Sequence, residues 1–244
     1  MERNSGNIRI LPAGDQALVA EFGDKIDPSI NDRVQSLASN ILESKVRGVT
    51  ELVPTFRSLL VCYQPSVIGY EALRETVLLL AGHPDTAISA QRRMLKIPCC
   101  YGSHFGPDLA DLERYTGIDR DEIIRIHSGA DYRVYMLGFL PGFAYLGGLD
   151  ERIAMPRLAT PRVKIPKGAV GIGGNQTGVY PLESPGGWRL IGNTPLDFYD
   201  PNRKEPVLCR AGDIIRFFPI TSADYYDIRR MVAQGSYHPE VEIF

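Results

Sequence analysis

The sequence has little that belongs to a membrane, a metal centre or a nucleotide-binding fold. Its 244 residues include one Trp, four His and four Cys, and the formal net charge is only −2. No apolar run approaches the roughly 18 residues that a bilayer-spanning helix needs. The opening MERNSGNIRI lacks the apolar core of a secretory signal. A nearly neutral chain has no global field to recruit nucleic acid or an anionic membrane. Cys62, Cys99, Cys100 and Cys209 are scattered without zinc-type spacing, so they read as reduced, buried thiols of a cytoplasmic protein. Neither a Gly-x-Ser-x-Gly elbow nor a His-Glu-x-x-His pair occurs, which leaves nucleophilic and metal catalysis without support.

What is present divides in two. Over residues 8–81, alternation and 3.6-residue periodicity predict β-β-α-β-β-α, a small α+β layer with its helices on one face of an antiparallel sheet. Asp27-Pro28 caps the first helix, whose stripe is Ile30, Val34, Leu37, Ala38, Ile41 and Leu42. Pro54 marks an edge or a bulge. The polar stretch 84–92 reads as the boundary, which gives domains 1–88 and 89–244. In the second, helices are expected over 106–126, strands at 132–139, 196–200 and 213–220, and a last helix at 222–235. Asp119 and Glu122 make a plausible capping box. His127 lies in the last turn of its helix, where a protonated imidazole is favoured, so it is expected to titrate near neutrality.

Residues 138–195 stand apart. They are too rich in Gly and Pro for helix, yet Phe139, Phe143, Tyr145, Tyr180 and Trp188 run through them. Short strands joined by glycine-specified turns, as in a β-barrel wall, fit that composition. GIGGNQTG (171–178) matches neither a Walker loop nor a Rossmann fingerprint. It is either a plain hairpin with left-handed glycines or a turn that brings Asn175, Gln176 and Thr177 to a ligand. Arg162 and Lys164 share one strand face opposite Val163 and Ile165. That face lines an anion pocket or meets solvent.

The runs HSGADYRVYMLGFLPGFAYLGGLD, TPRVKIPKGAVGIGGNQTGVYPLESPGGWRLIGNTP and AGDIIRFFPI resemble the 5-oxoprolinase B-subunit family, also described as allophanate hydrolase subunit 1 or the sporulation-kinase inhibitor KipI. GDQALVAEFGD and VPTFRSLLVCY are similar to it as well. The resemblance implies an α+β N-terminal domain followed by a mainly-β, cyclophilin-like barrel. It implies a hydrolase subunit that, with the cyclophilin-like C subunit plus the A subunit, uses ATP (with Mg at the level of the complex) to open 5-oxo-L-proline to L-glutamate. The isolated chain is then expected to be inactive. Alternative roles are inhibition of a sporulation sensor histidine kinase and a part in allophanate or urea metabolism. His127, Arg162, Gln176, Thr177, Tyr180, Ser184 and Trp188 fall inside the family's motif blocks. The expected division makes His127 and Arg162 catalytic and gives substrate binding to Lys167, Asn175, Gln176, Thr177, Tyr180, Ser184 and Trp188. Ser103-His104 departs from the family pattern, which leaves that loop without an assigned role.

Overall fold

A computed structural model describes residues 8–83 and 93–244. The boundary expected at 84–92 lies outside the described residues. The chain divides into two compact units, Met1–Gln91 and Arg92–Phe244.

The first unit runs β1 (Arg9–Pro12), β2 (Ala17–Glu21), α1 (Pro28–Glu43), β3 (Val49–Pro54), β4 (Ser58–Tyr63) and α2 (Tyr70–Ala81). Its antiparallel sheet has the order β1-β2-β4-β3, so Pro54 ends an edge strand, and a bulge falls between Val49 and Glu51. Asp27 caps α1 by accepting from the Ser29 backbone N–H at 2.8 Å, with Pro28 at the first helical position. The α1 stripe (Val34, Leu37, Ile41) meets Leu18, Leu59 and Val61 from the sheet and Leu73, Val77 and Leu80 from α2 in one apolar core. Leu42, placed on that stripe by spacing alone, is exposed. It falls on the rim of the stripe, where the last turn has left the sheet.

The second unit is a closed barrel. Its elements are β5 (Arg93–Tyr101), α3 (Leu109–Thr116), α4 (Arg120–Ser128), β6 (Asp131–Leu137), β7 (Ala144–Gly147), β8 (Arg162–Ile165), β9 (Ala169–Gly173), β10 (Gln176–Val179), β11 (Ser184–Gly186), β12 (Arg189–Asn193), β13 (Ile214–Pro219), α5 (Ser222–Ala233) and β14 (Val241–Ile243). Seven strands form the ring β12-β9-β10-β7-β6-β13-β5, closed by β12 pairing with β5 through Gly192↔Tyr101 and Asn193↔Cys100. β13 runs parallel to β5, and β14 is appended to β5 beside the ring. The barrel interior holds Leu95, Ile97, Val134, Leu146, Val170, Ile172, Val179, Ile191, Ile215 and Phe217.

Three expectations need correction. Residues 196–200 form no strand, only an isolated bridge at Tyr199. Pro195 and Pro201 flank the segment and give no ladder N–H, so Leu196 and Phe198 are buried as plugs instead. The 162–165 strand is not barrel wall: β8 pairs only with β11, in a two-stranded sheet outside the ring. Finally, Glu122 does not reach back to its cap, because both its oxygens bond Arg125 at 2.6 Å. Asp119 alone caps α4.

Candidate functional site

The glycine-rich segment is a hairpin joining β9 to β10 through Gly174 and Asn175, with Gly174 at φ +69. Thr177 and Val179 point into the barrel, and Gly178 and Tyr180 point outward. A cross-strand row runs Tyr145↔Gly178↔Gly171↔Leu190 over four strands of the outer face. The glycines in and beside this row are there for one side chain. A Cβ at Gly173 would meet the Trp188 indole at 2.5 Å, one at Gly178 would meet it at 3.0 Å, and one at Gly171 would sit 3.3 Å from the Trp188 Cβ. The indole fills the hollow that these glycines leave, and with it the space that a phosphate would need.

Around Trp188 lies a second, smaller core on the outside of the barrel: Phe143, Ile165, Ala169, Tyr180 and Leu190, flanked by Leu140 and Tyr145. Phe143 is its hub, edge-on to Tyr145 at 5.0 Å, Tyr180 at 5.3 Å, Trp188 at 5.5 Å and Phe139 at 5.6 Å. Ile165 comes from the two-stranded β8–β11 sheet, which therefore covers this core. Within that sheet, the buried Ser184 hydroxyl has no hydrogen-bond partner among the described residues. Phe139, exposed and at φ +66, is held in a left-handed conformation that aromatic residues rarely adopt. Arg157 stacks its guanidinium over Trp188 at 5.6 Å.

His127 is inside the barrel, with no exposed surface. Its Nδ1 lies 2.8 Å from the Tyr101 hydroxyl and its Nε2 2.9 Å from Thr177 Oγ1. Thr177 spends its own hydrogen on the Gly171 carbonyl at 3.1 Å, so it accepts from His127. The proton therefore sits on Nε2, and Nδ1 accepts from Tyr101. The rings of Tyr132 and Phe217 pack against the imidazole at 5.2 and 4.9 Å. Burial lowers its pKa to about 3. The expectation of titration near neutrality is thus overturned: desolvation outweighs the helix C-terminus. Both ring nitrogens are occupied, and the histidine ties α4 to β5 and β10.

The expected anion pocket also changes. Arg162 Nη2 donates to Asp108 Oδ1 at 2.5 Å, so its charge is already matched. Asp108 is buried, and its other oxygen accepts from the Leu190 backbone N–H at 2.6 Å. This explains why Asp108 stands at the start of α3 without capping it. Lys164 pairs with Glu183 in solvent. Lys167 pairs with Asp197 at 2.9 Å, but Arg229 shares that carboxylate at 2.5 Å, so two cations face one anion. Asn175 is exposed and Gln176 half-buried at the hairpin tip. The predicted residues thus fall in three places: Thr177 with His127 inside the barrel, Tyr180, Ser184 and Trp188 on its outer face, and Lys167, Asn175 and Gln176 at loops.

Asp108 clamps the covering β8–β11 sheet to β12, which carries a direct prediction. Asp108→Asn removes the charge opposite Arg162, and its amide cannot accept on both sides. The expected loss is about 2 kcal/mol, tempered because Arg162 is partly exposed, and is read by chemical denaturation.

The comparisons with known proteins now bear on this geometry. Residues 8–209 match the family model described as carboxyltransferase domain, subdomain C and D. The 5-oxoprolinase B subunit of Bacillus subtilis is 42% identical over 228 residues, covering 89% of this chain and 95% of that one. The Escherichia coli O157:H7 protein of the same name is 39% identical, covering 84% and 93%. This chain belongs to the 5-oxoprolinase B-subunit family. Among solved structures, TTHA0988 superposes with a TM-score of 0.76 at 34% identity, covering 85% of this chain and 40% of that longer one. Kluyveromyces lactis urea amidolyase, at 22% identity and a TM-score of 0.80, shares the fold over 100% of this chain and 17% of its own.

For this member of the family, sequence reasoning missed Asp108, Tyr101 and Arg157. Asp108 follows Pro107 and looks like an ordinary helix opener. Tyr101 ends a strand with no partner visible in sequence. Arg157 lies in the loop before β8. Only the folded chain brings them to Arg162, His127 and Trp188.

Proposed function

We propose that this chain is the B subunit of an ATP-dependent 5-oxoprolinase, which opens 5-oxo-L-proline to L-glutamate together with the cyclophilin-like C subunit plus the A subunit. The observation that carries the reading is the near-full-length identity to two proteins named as 5-oxoprolinase B subunits. The barrel is read as the cyclophilin-like architecture of that family, and the site as cytoplasmic and shared between subunits.

Opening the lactam adds water across the ring C–N bond, so that the carbon becomes a carboxylate and the nitrogen the amine of glutamate. ATP, with magnesium, supplies the activation that a stable amide needs. The 171–178 hairpin does not fit an ATP phosphate cradle, because Trp188 fills the glycine hollow. No phosphoryl step is therefore placed on that segment. What this chain contributes is binding and orientation. The unmatched positive charge where Lys167 and Arg229 share Asp197 draws the substrate carboxylate. The buried Ser184 hydroxyl, without a hydrogen-bond partner among the described residues, is an unspent donor on the outer face. Tyr180 and Trp188 belong to the apolar core beneath β11, apart from Gln176 at the tip of the β9–β10 hairpin.

The test is 5-oxoproline-dependent ATP hydrolysis by this chain reconstituted with the A and C subunits. Lys167→Ala is expected to raise KM about tenfold with kcat little changed, the signature of lost ground-state binding. Absence of turnover in the complex overturns the proposal. Kinase inhibition by the chain alone, or carboxylation of urea by the complex, replaces it with one of the other roles of the family.

A further inference from the structure

The first unit holds a feature that this reaction does not use. A cleft of about 390 Å³, within the usual size of a small-molecule site, is lined by Ile8, Arg9, Glu21, Gly23, Asp24 and Arg57. One wall is the β3–β4 turn, which is braced to an unusual degree. Asn31, fully buried in α1, donates to the carbonyls of Thr55 at 3.0 Å and Phe56 at 3.4 Å. The Thr55 and Ser58 hydroxyls meet at 2.8 Å, and the Thr55 N–H donates to the Ser58 carbonyl at 2.8 Å. The Arg57 carbonyl accepts from the Phe22 N–H at 2.9 Å, which fixes the turn to the end of β2.

Arg57 is thus a guanidinium on a fixed mount. It donates Nη1 to the Gly23 carbonyl at 2.7 Å and has no carboxylate partner among the described residues. Four of its five N–H donors remain for a ligand. Asp24, exposed on the same cleft, has neither a hydrogen bond nor an ion pair among the described residues. The other two charges are spent on each other, Arg9 on Glu21 at 2.7 Å. The cleft therefore presents one cation and one anion that line the same space without pairing.

We propose that this cleft binds a small zwitterion of the α-amino-acid class, with its carboxylate on Arg57 and its ammonium on Asp24. A guanidinium suits a carboxylate because two parallel N–H donors match its two oxygens. Ile8 gives the side chain an apolar wall. A lactam or an N-acylated amino acid has no ammonium, so it satisfies only half of the site. Binding here does not depend on the reaction proposed above.

The experiment is a titration of the full chain, labelled with 15N, by L-glutamate, N-acetyl-L-glutamate and 5-oxo-L-proline. L-Glutamate is expected to shift the amides of residues 8–9, 21–24 and 55–58 saturably, with a dissociation constant on the order of 1 mM. The other two ligands are expected to bind at least about tenfold more weakly. Asp24→Asn breaks no hydrogen bond or ion pair among the described residues, and is expected to weaken glutamate binding about fivefold. Arg57→Ala is expected to weaken it about tenfold, with resonances outside the cleft unmoved. No saturable shift, equal binding of N-acetyl-L-glutamate, or an unaffected Asp24→Asn variant overturns the proposal.

Discussion

Replacing Trp188 with alanine is expected to lower the stability of the barrel unit by about 3–5 kcal/mol, the range for removing a large buried aromatic side chain. Trp188 is almost wholly buried, and the glycines that form its hollow have no side chains to close over the space it would leave. Gly173→Ala tests the same fit from the other side. Its methyl would lie 2.5 Å from the indole, which is wedged between the barrel and the covering β8–β11 sheet, so at least about 1–3 kcal/mol of overpacking is expected. Urea denaturation followed by the fluorescence of Trp188 reads the glycine variant directly. Circular dichroism reads the alanine one. If Trp188→Ala costs less than about 1 kcal/mol, the glycine segment has some purpose other than seating the indole.

The second large effect is one of pH. His127 has an ordinary pKa of 6.5 that burial lowers to about 3 in the folded chain. Between those values the unfolded chain binds a proton that the folded chain refuses. The histidine's contribution is therefore fully present above pH 6.5 and is lost as pH falls through the window, at about 1.4 kcal/mol per pH unit. His127→Gln keeps a neutral donor and acceptor in the site and has nothing to titrate. Wild type is expected to lose stability between pH 6 and pH 4 more steeply than this variant, by that slope. Parallel curves for the two would mean that the imidazole accepts a proton without unfolding.

Much of the fold was legible because it rests on local rules. The α1 stripe apart from Leu42, the Asp27-Pro28 start and the edge position of Pro54 each follow from a few adjacent residues and stand as expected. The candidate site was legible in part. The sequence correctly argued against nucleotide motifs at 171–178, but could not show that Trp188, ten residues beyond the hairpin, is what the glycines accommodate. His127 was misjudged because helix-end electrostatics is visible in sequence and desolvation is not. The ion pair of Arg162 was hidden for a related reason: its partner Asp108 is 54 positions away. Lys and Arg between aromatics look like a ligand pocket until the carboxylates that match them are located.

The ring of the barrel has consequences for how the chain reaches its native state. Its closing ladder joins β12 to β5, strands about ninety residues apart in sequence, and loop closure of that span has an entropic cost that only completed pairing repays. The seam is also sterically exacting. A side chain at Gly192 would strike Cys99 Sγ at 2.6 Å, and one at Gly106 would strike the Ile191 carbonyl at 1.9 Å. Until the seam forms, β5 and β12 are open edges able to pair with another chain. The same closure that leaves the finished ring without free edges therefore makes the half-assembled barrel the state most vulnerable to aggregation during synthesis.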